Sequence, residues 1–208
     1  MKRGTGPLCS VLFYCKRQRN EVILLNILIA KFKSSSKELK DIRSLCICAM
    51  MLSLRVVIGY FSNLTLAISP EIKLGFSFLP IAITAILCGP VAGMIVGGLG
   101  DILSFMIAPM GYYFPGWTVS GILVGLIYGI FLYKAKNLLI STIVAEVIIG
   151  IFIEVALGSL WLLIQYQKAF LLMAGMRGLK TLVAIPFEIV LVLFFAKVLK
   201  RIPKLKIK

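Results

Sequence analysis

The chain has 208 residues, of which 60% are apolar and 15% charged, and it carries a formal charge of +15. Its mean hydropathy of +1.02 lies far outside the range of a soluble domain. With about 20 apolar residues needed per membrane crossing, the composition excludes a water-soluble fold and leaves room for a polytopic bundle and little else.

The first forty residues differ in kind from the rest. Met1–Asn20 is basic and irregular, and Val22–Ala30 is an apolar run too short to span. Lys16, Arg17 and Arg19 interrupt any signal-peptide core. Two readings stay open, an interfacial helix or a stretch preceding the natural start, and residues 1–42 are taken as a basic cytoplasmic segment, partly interfacial or disordered. Residues 43–200 then form the membrane domain, and residues 201–208 form a basic cytoplasmic tail.

Six apolar segments follow. The first is roughly Leu45–Leu64, and the second, Phe76–Cys88, is short and ends at Gly89-Pro90. The third, Val91–Ala108, carries Gly93, Gly97 and Gly100 at helical spacing, which lets another helix backbone come close. The fourth is Trp117–Tyr133, with Gly121, Gly125 and Gly129. The fifth, Leu138–Gln165, is about 27 residues or roughly 40 Å long, more than the hydrocarbon core requires, so it tilts or projects. The sixth is about Lys180–Ala196. Three connections, Thr65–Gly75, Ile107–Gly116 and Tyr166–Leu179, should face outside and wall an external pocket.

Charge gives the orientation. Ten Lys/Arg lie between Met1 and Arg43, Lys134 and Lys136 follow the fourth segment, and six lie between Lys197 and Lys208. Cytoplasmic segments accumulate Lys and Arg, so both termini should be inside, in agreement with an even number of spans. The basic excess reads as orientation and contact with the lipid bilayer, not as a nucleic-acid surface.

Within the spans, ionisable side chains are costly and usually face a cavity or the bundle interior. This chain has Arg55, Asp101, Glu146, Glu154 and Glu188 there. Arg55 can instead neutralise an acid inside the bundle, and Glu146 lies near the inner end, within reach of solvent. Glu154, Gly158, Trp161 and Gln165 share one face of the fifth segment, with Arg177 and Lys180 just beyond. The run Gly100–Trp117, GDILSFMIAPMGYYFPGW, joins Asp101 to Tyr112, Tyr113, Phe114 and Trp117 through a Pro-Gly frame. These aromatics could equally form an interfacial belt, but a belt needs no such frame, which favours a small-molecule pocket. In the first segment, Ala49-x-x-x-Ser53 is a small-xxx-small pair turned roughly 120–160° from Arg55, suited to receiving a partner helix. Gly93 and Gly97 are further candidates for such an interface.

Several chemistries lack their parts. There is no histidine and no Walker A motif, and Cys9, Cys15, Cys46, Cys48 and Cys88 show neither disulfide nor metal spacing. Neither catalysis nor a resident cofactor or metal is expected, and any ATP hydrolysis must come from elsewhere.

The stretch IKLGFSFLPIAITAILCGPVAGMIVGGLGDIL, followed by YYFPGWTVSGILVGLIYGIFLYK, resembles the folate-family substrate-binding (S) components of energy-coupling factor (ECF) vitamin transporters, over about Glu38 to Lys200. The resemblance implies an all-α integral membrane protein of six transmembrane helices in a prokaryotic cytoplasmic membrane. It implies folate capture from outside, and pairing at Ala49 and Ser53 with a transmembrane coupling protein that two ATPase subunits drive. The chain departs from the family's usual Asn-Thr before Leu-Trp-Leu, having Gly158-Ser159, and from Pro-Ala-Arg, having Gly175-Met176-Arg177. For folate, the aromatic residues and Phe76 suit the flat pterin. Asp101, Glu154 or Glu188 suits its donor edge, and Arg177, Lys73, Lys180 or the deeper Arg55 suits the anionic glutamate tail. An S component for another flat heterocycle is the alternative. A small membrane enzyme is a third reading, for which no nucleophile–base pair is visible.

Overall fold

The computed structural model describes residues 26, 28–66, 76–109, 113–135, 137–166 and 170–201. Among them the fold is entirely helical. A short helix over residues 28–38, α1, precedes α2 (Ile42–Leu66), α3 (Phe78–Cys88), α4 (Pro90–Ile107) and α5 (Pro115–Leu132). A continuous helical run then passes from α6 (Leu138–Ile148) through a π-helical segment (Ile149–Leu157) into α7 (Gly158–Tyr166), and α8 (Phe170–Arg201) closes the bundle. Among the described residues, five stretches are long and apolar enough to cross a membrane: Ile42–Phe61, Pro90–Ile107, Pro115–Leu132, Leu138–Ile164 and Arg177–Leu199. Phe78–Cys88, at the second expected segment, is a shorter apolar helix.

The most extensive helix pair is α4 with α5, and its cause is compositional. A Cβ at Gly93 would stand 2.8 Å from Gly125 O, and one at Gly121 would stand 2.7 Å from Gly97 O. Only hydrogen at these positions lets the two backbones touch, and such van der Waals contact is what holds helices together where lipid removes the hydrophobic drive. Gly93 and Gly97, expected at a partner interface, are thus used inside the chain, facing α5. The main apolar core sits beside this seam, where Tyr128, Leu132, Ile81, Ala85, Ala145 and Ile149 pack together.

Between α3 and α4 the chain reverses at Gly89, whose φ of +86° suits glycine. Pro90 follows at the first position of α4, and Gly89 has no side chain to cap that helix. The cap comes from α1 instead. Ser35 Oγ accepts from Val91 N at 3.2 Å and donates to Cys88 O at 2.7 Å, serving the start of α4 and the end of α3 together. Beside it Lys31 Nζ donates to Ile130 O at 2.7 Å, a cation on the last turn of α5. Tyr133 OH donates to Glu38 Oε1 at 2.6 Å, and Lys134 Nζ donates to Ser34 Oγ at 3.0 Å. The α1 helix is therefore a polar clasp under one end of the bundle. Ser35→Ala should lower the unfolding free energy by about 1–3 kcal/mol, because the half-buried Val91 N–H and the buried Cys88 C=O lose their partner together. A melt in detergent that matched the parent protein would contradict the clasp.

Two segments differ from expectation. The last helix begins near Phe170, not Lys180, because nothing between Phe170 and Leu179 carries a proline or an Asn/Asp cap signal. The expected outer connection Tyr166–Leu179 is thereby mostly helix, and Arg177 and Lys180 stand on α8. Pro186 lies inside α8 without breaking it, as neighbouring helices permit in membrane segments. The π-helical segment inside the fifth span also widens the helix and shifts the face that a 3.6-residue period assigns.

Candidate functional site

The polar and aromatic residues gather at the end of the bundle opposite α1. The start of α5 presents several of them. Phe114 is the extended residue before the helix, Pro115 opens it, and Gly116 follows. A side chain at Gly116 would strike the Phe114 ring and come 2.7 Å from Trp161 Cδ2, so glycine here allows the aromatic groups to close. Phe114 and Trp161 meet edge-to-face with ring centroids 5.5 Å apart. The Trp161 indole is fixed by donation from Nε1 to Ser120 Oγ at 2.9 Å.

A second group joins α4 to the same turn. Thr118 Oγ1 donates to Asp101 Oδ2 at 2.8 Å, and Tyr113 OH lies 2.8 Å from Thr118 Oγ1. A threonine hydroxyl has one proton, so Tyr113 must be the donor to Thr118. The relay Tyr113–Thr118–Asp101 orients the carboxylate, and the Phe105 ring, 5.1 Å from that of Tyr113, packs against its first member.

The third group is cationic. The Arg177 guanidinium sits 5.4 Å over the Trp117 ring, a cation–π arrangement. Its Nη1 donates to Glu154 O at 3.3 Å and lies in the hollow above Gly158. Lys180 and Glu188 are half-buried on α8, within electrostatic range of Glu154.

Other expected site residues fall differently. Arg55 is buried in mid-bundle, where Nη1 donates to Val96 O at 2.6 Å and to Gly97 O, and its side chain fills the space left by Gly100. It joins α2 to the α4–α5 seam and is committed to backbone carbonyls. Glu154 departs from the expected column: it is exposed, whereas Gly158 is buried and Trp161 half-buried, because the π-helical turns intervene. Glu146, expected within reach of solvent, is 1% exposed and accepts from Tyr128 OH at 2.9 Å. Phe76 packs edge-to-face on Phe187, 6.0 Å between centroids. Gln165 lies on α7; Lys73 and Tyr112 lie outside the described residues.

Thr118 and Ser120 are the additions that sequence reasoning missed. Both are one turn inside α5 and sit among glycines, so they read as small packing residues; only their i+1 and i+3 offsets from Trp117 hinted at the site.

Outside this cluster, Ala49 and Ser53 are exposed on α2 and line an apolar groove with Leu52, Val56, Leu103 and Ile107, about 370 Å³ in volume. Ser53 Oγ is turned back onto Met50 O at 2.8 Å, leaving this face apolar.

Taken together, the site offers aromatic surfaces, an oriented carboxylate and a stacked guanidinium. That set suits a planar heteroaromatic molecule with a hydrogen-bond-donating edge and an anionic group.

Residues 43–196 match the family model described as ECF transporter, substrate-specific component. The chain is 30% identical over 154 residues to a folate transporter FolT from Clostridium novyi (strain NT), covering 74% of this chain and 88% of that protein. It is 26% identical over 155 residues to a folate transporter FolT from Leuconostoc mesenteroides subsp. mesenteroides, covering 72% and 82% respectively. Among solved structures, FolT bound with folic acid superposes with a TM-score of 0.68 at 24% identity, covering 76% of this chain and 94% of that one. This last likeness shows the fold.

Proposed function

We infer that this chain, which belongs to the family of ECF transporter substrate-specific components, captures folate from outside a prokaryotic cell membrane and delivers it inward with an ATP-driven coupling module. The observation that carries the reading is the joint presence of the Asp101 relay and the Trp117–Arg177 stack at one end of the bundle, in a chain whose relatives are named folate transporters.

The chemistry follows from those groups. The pterin is flat and stacks against Phe114, Trp117 and Trp161. Its amino-amide edge carries donors, and Asp101 is the acid whose orientation is set by hydrogen bonds before a ligand arrives, which lowers the ordering cost of binding. The glutamate tail is anionic and is met by Arg177, with Lys180 on the same helix. Water is kept out by the aromatic contacts that Gly116 allows.

No ATP-binding motif occurs in the chain, so energy enters through partners: a transmembrane coupling protein and two ATPase subunits. The exposed groove at Ala49 and Ser53 is the surface suited to the coupling protein's helices, since small residues admit close backbone approach. The basic end, with Lys31, Lys33, Lys37, Arg43 and Lys134, faces the cytoplasm, as do both termini.

The test is intrinsic fluorescence of Trp117 and Trp161 in the purified, detergent-solubilised chain. Folate should quench it saturably with a Kd on the order of nanomolar, about −12 kcal/mol, and riboflavin should not compete. A folded protein that ignores folate, or that binds riboflavin more tightly, overturns the reading in favour of another heterocycle.

A further inference from the structure

We propose that the missing side chain at Gly158 is a specificity determinant: it forms the notch that holds the Arg177 guanidinium against Trp117, and thereby selects ligands with an anionic tail. The proposal rests on the folate reading and deepens it.

Three observations meet at this point. Gly158 opens α7 directly after the π-helical segment and is buried. A Cβ there would overlap Arg177 Nη1 and stand 3.2 Å from its Cζ, while the nearest backbone atom, Ile153 O, would remain at an ordinary 3.5 Å. The same Nη1 donates to Glu154 O, one turn back on the neighbouring segment, while the Gly158 N–H is engaged with the carbonyls of Ile153 and Val155. The guanidinium is thus held by a backbone carbonyl, a ring face and an absent methyl group.

This differs from the four glycines at which the α4 and α5 backbones touch. At Gly93, Gly97, Gly121 and Gly125 an added Cβ meets backbone, which cannot move. At Gly158 it meets the far end of a flexible side chain, which swings away at little cost to the fold. Any side chain at 158 therefore exchanges a fixed guanidinium for a mobile one. A fixed planar fork presents its remaining N–H groups to a carboxylate with less ordering cost than a free one. Gly158 is in this sense a positioning residue, acting through Arg177 without touching the tail.

The experiment compares Gly158→Ala, Arg177→Ala and the double variant with the parent chain, using folate and the uncharged probe 6-methylpterin. Gly158→Ala should melt like the parent, bind 6-methylpterin within about twofold, and bind folate about tenfold more weakly, the effect of losing one charge-assisted hydrogen bond. In the Arg177→Ala background the same change should add less than about twofold, since both act on one interaction. Without ligand, the tryptophan emission of Gly158→Ala should shift in the same direction as that of Arg177→Ala, because both take the cation off the Trp117 face. Equal losses for folate and 6-methylpterin, a full loss in the Arg177→Ala background, or an unshifted emission would each overturn the proposal. If the parent chain fails to bind folate, the folate reading falls, and the emission shift alone then decides whether Gly158 places Arg177.

Discussion

Ala49→Leu is expected to leave folate affinity within about twofold and to lower folate uptake at least tenfold, the rate equivalent of about 1.4 kcal/mol or more. The argument starts from geometry. Ala49 and Ser53 are exposed on one side of α2, whereas Arg55 on the other side is buried in the α4–α5 seam. The groove they line holds about 370 Å³ and is otherwise made of Leu52, Val56, Val57, Leu103 and Ile107, with no charged group. In lipid, apolar lining by itself gives no reason for helices to associate, so close approach must supply the energy. A leucine at 49 fills the depression and holds a partner backbone off, and overpacking of this kind costs about 1–3 kcal/mol. The proposed ligand-binding residues lie near the end of α4 and the start of α5 and are untouched. Uptake equal to the parent, with binding intact, would remove this face from the transport mechanism. Parallel loss of binding and uptake would mean that the groove supports the fold instead.

Gly125→Leu is expected to prevent accumulation of folded protein. Gly125 sits where α5 crosses α4, and its Cβ would collide with Gly93 O and stand 2.7 Å from Met94 N. All are backbone atoms of α4, and no rotamer change relieves them. Separating the helices enough for a leucine would break the matching contacts at Gly121 and Gly97 and pull Arg55 from its α4 carbonyls. Combined loss of packing and exposure of a buried guanidinium falls among the mechanisms whose costs exceed about 4 kcal/mol. Size-exclusion profiles and expression level in detergent check this. A monodisperse Gly125→Leu protein that still binds folate would show that the seam is far more compliant than its backbone contacts imply.

Much of the architecture was readable from residue order alone. Apolar length marked the spans, and glycines at helical spacing marked faces of close backbone approach, though Gly93 and Gly97 meet α5 and not a partner helix. Pro115-Gly116 behind an aromatic run marked a built turn. These signals are local or periodic, so they survive without coordinates. What stayed hidden depends on distance. The α1 clasp rests on Ser34 and Glu38, common polar residues whose partners Tyr133 and Lys134 lie about a hundred positions away, and on Ser35, whose partners are the backbones of Cys88 and Val91. The π-helical segment leaves no mark in an apolar run such as IGIFIEVAL, and by widening the helix it took Glu154 out of the column that period 3.6 assigned to it. The early start of α8 was missed because a stretch with two glycines and a basic pair reads as loop, yet lipid and packing favour helix. The site's aromatic members were legible as a group. Their connecting hydroxyls, Thr118 and Ser120, were not, because a hydroxyl in a glycine-rich helix looks like packing until its partner is seen.

The most direct test of the central claim is uptake of radiolabelled folate into proteoliposomes holding the chain alone, or the chain with a transmembrane coupling protein and its two ATPases. The account predicts saturable binding near one folate per chain without partners, and accumulation above that level only when the coupling module and ATP are both present. Accumulation by the chain alone, or failure of the complete assembly to accumulate folate at all, would contradict it.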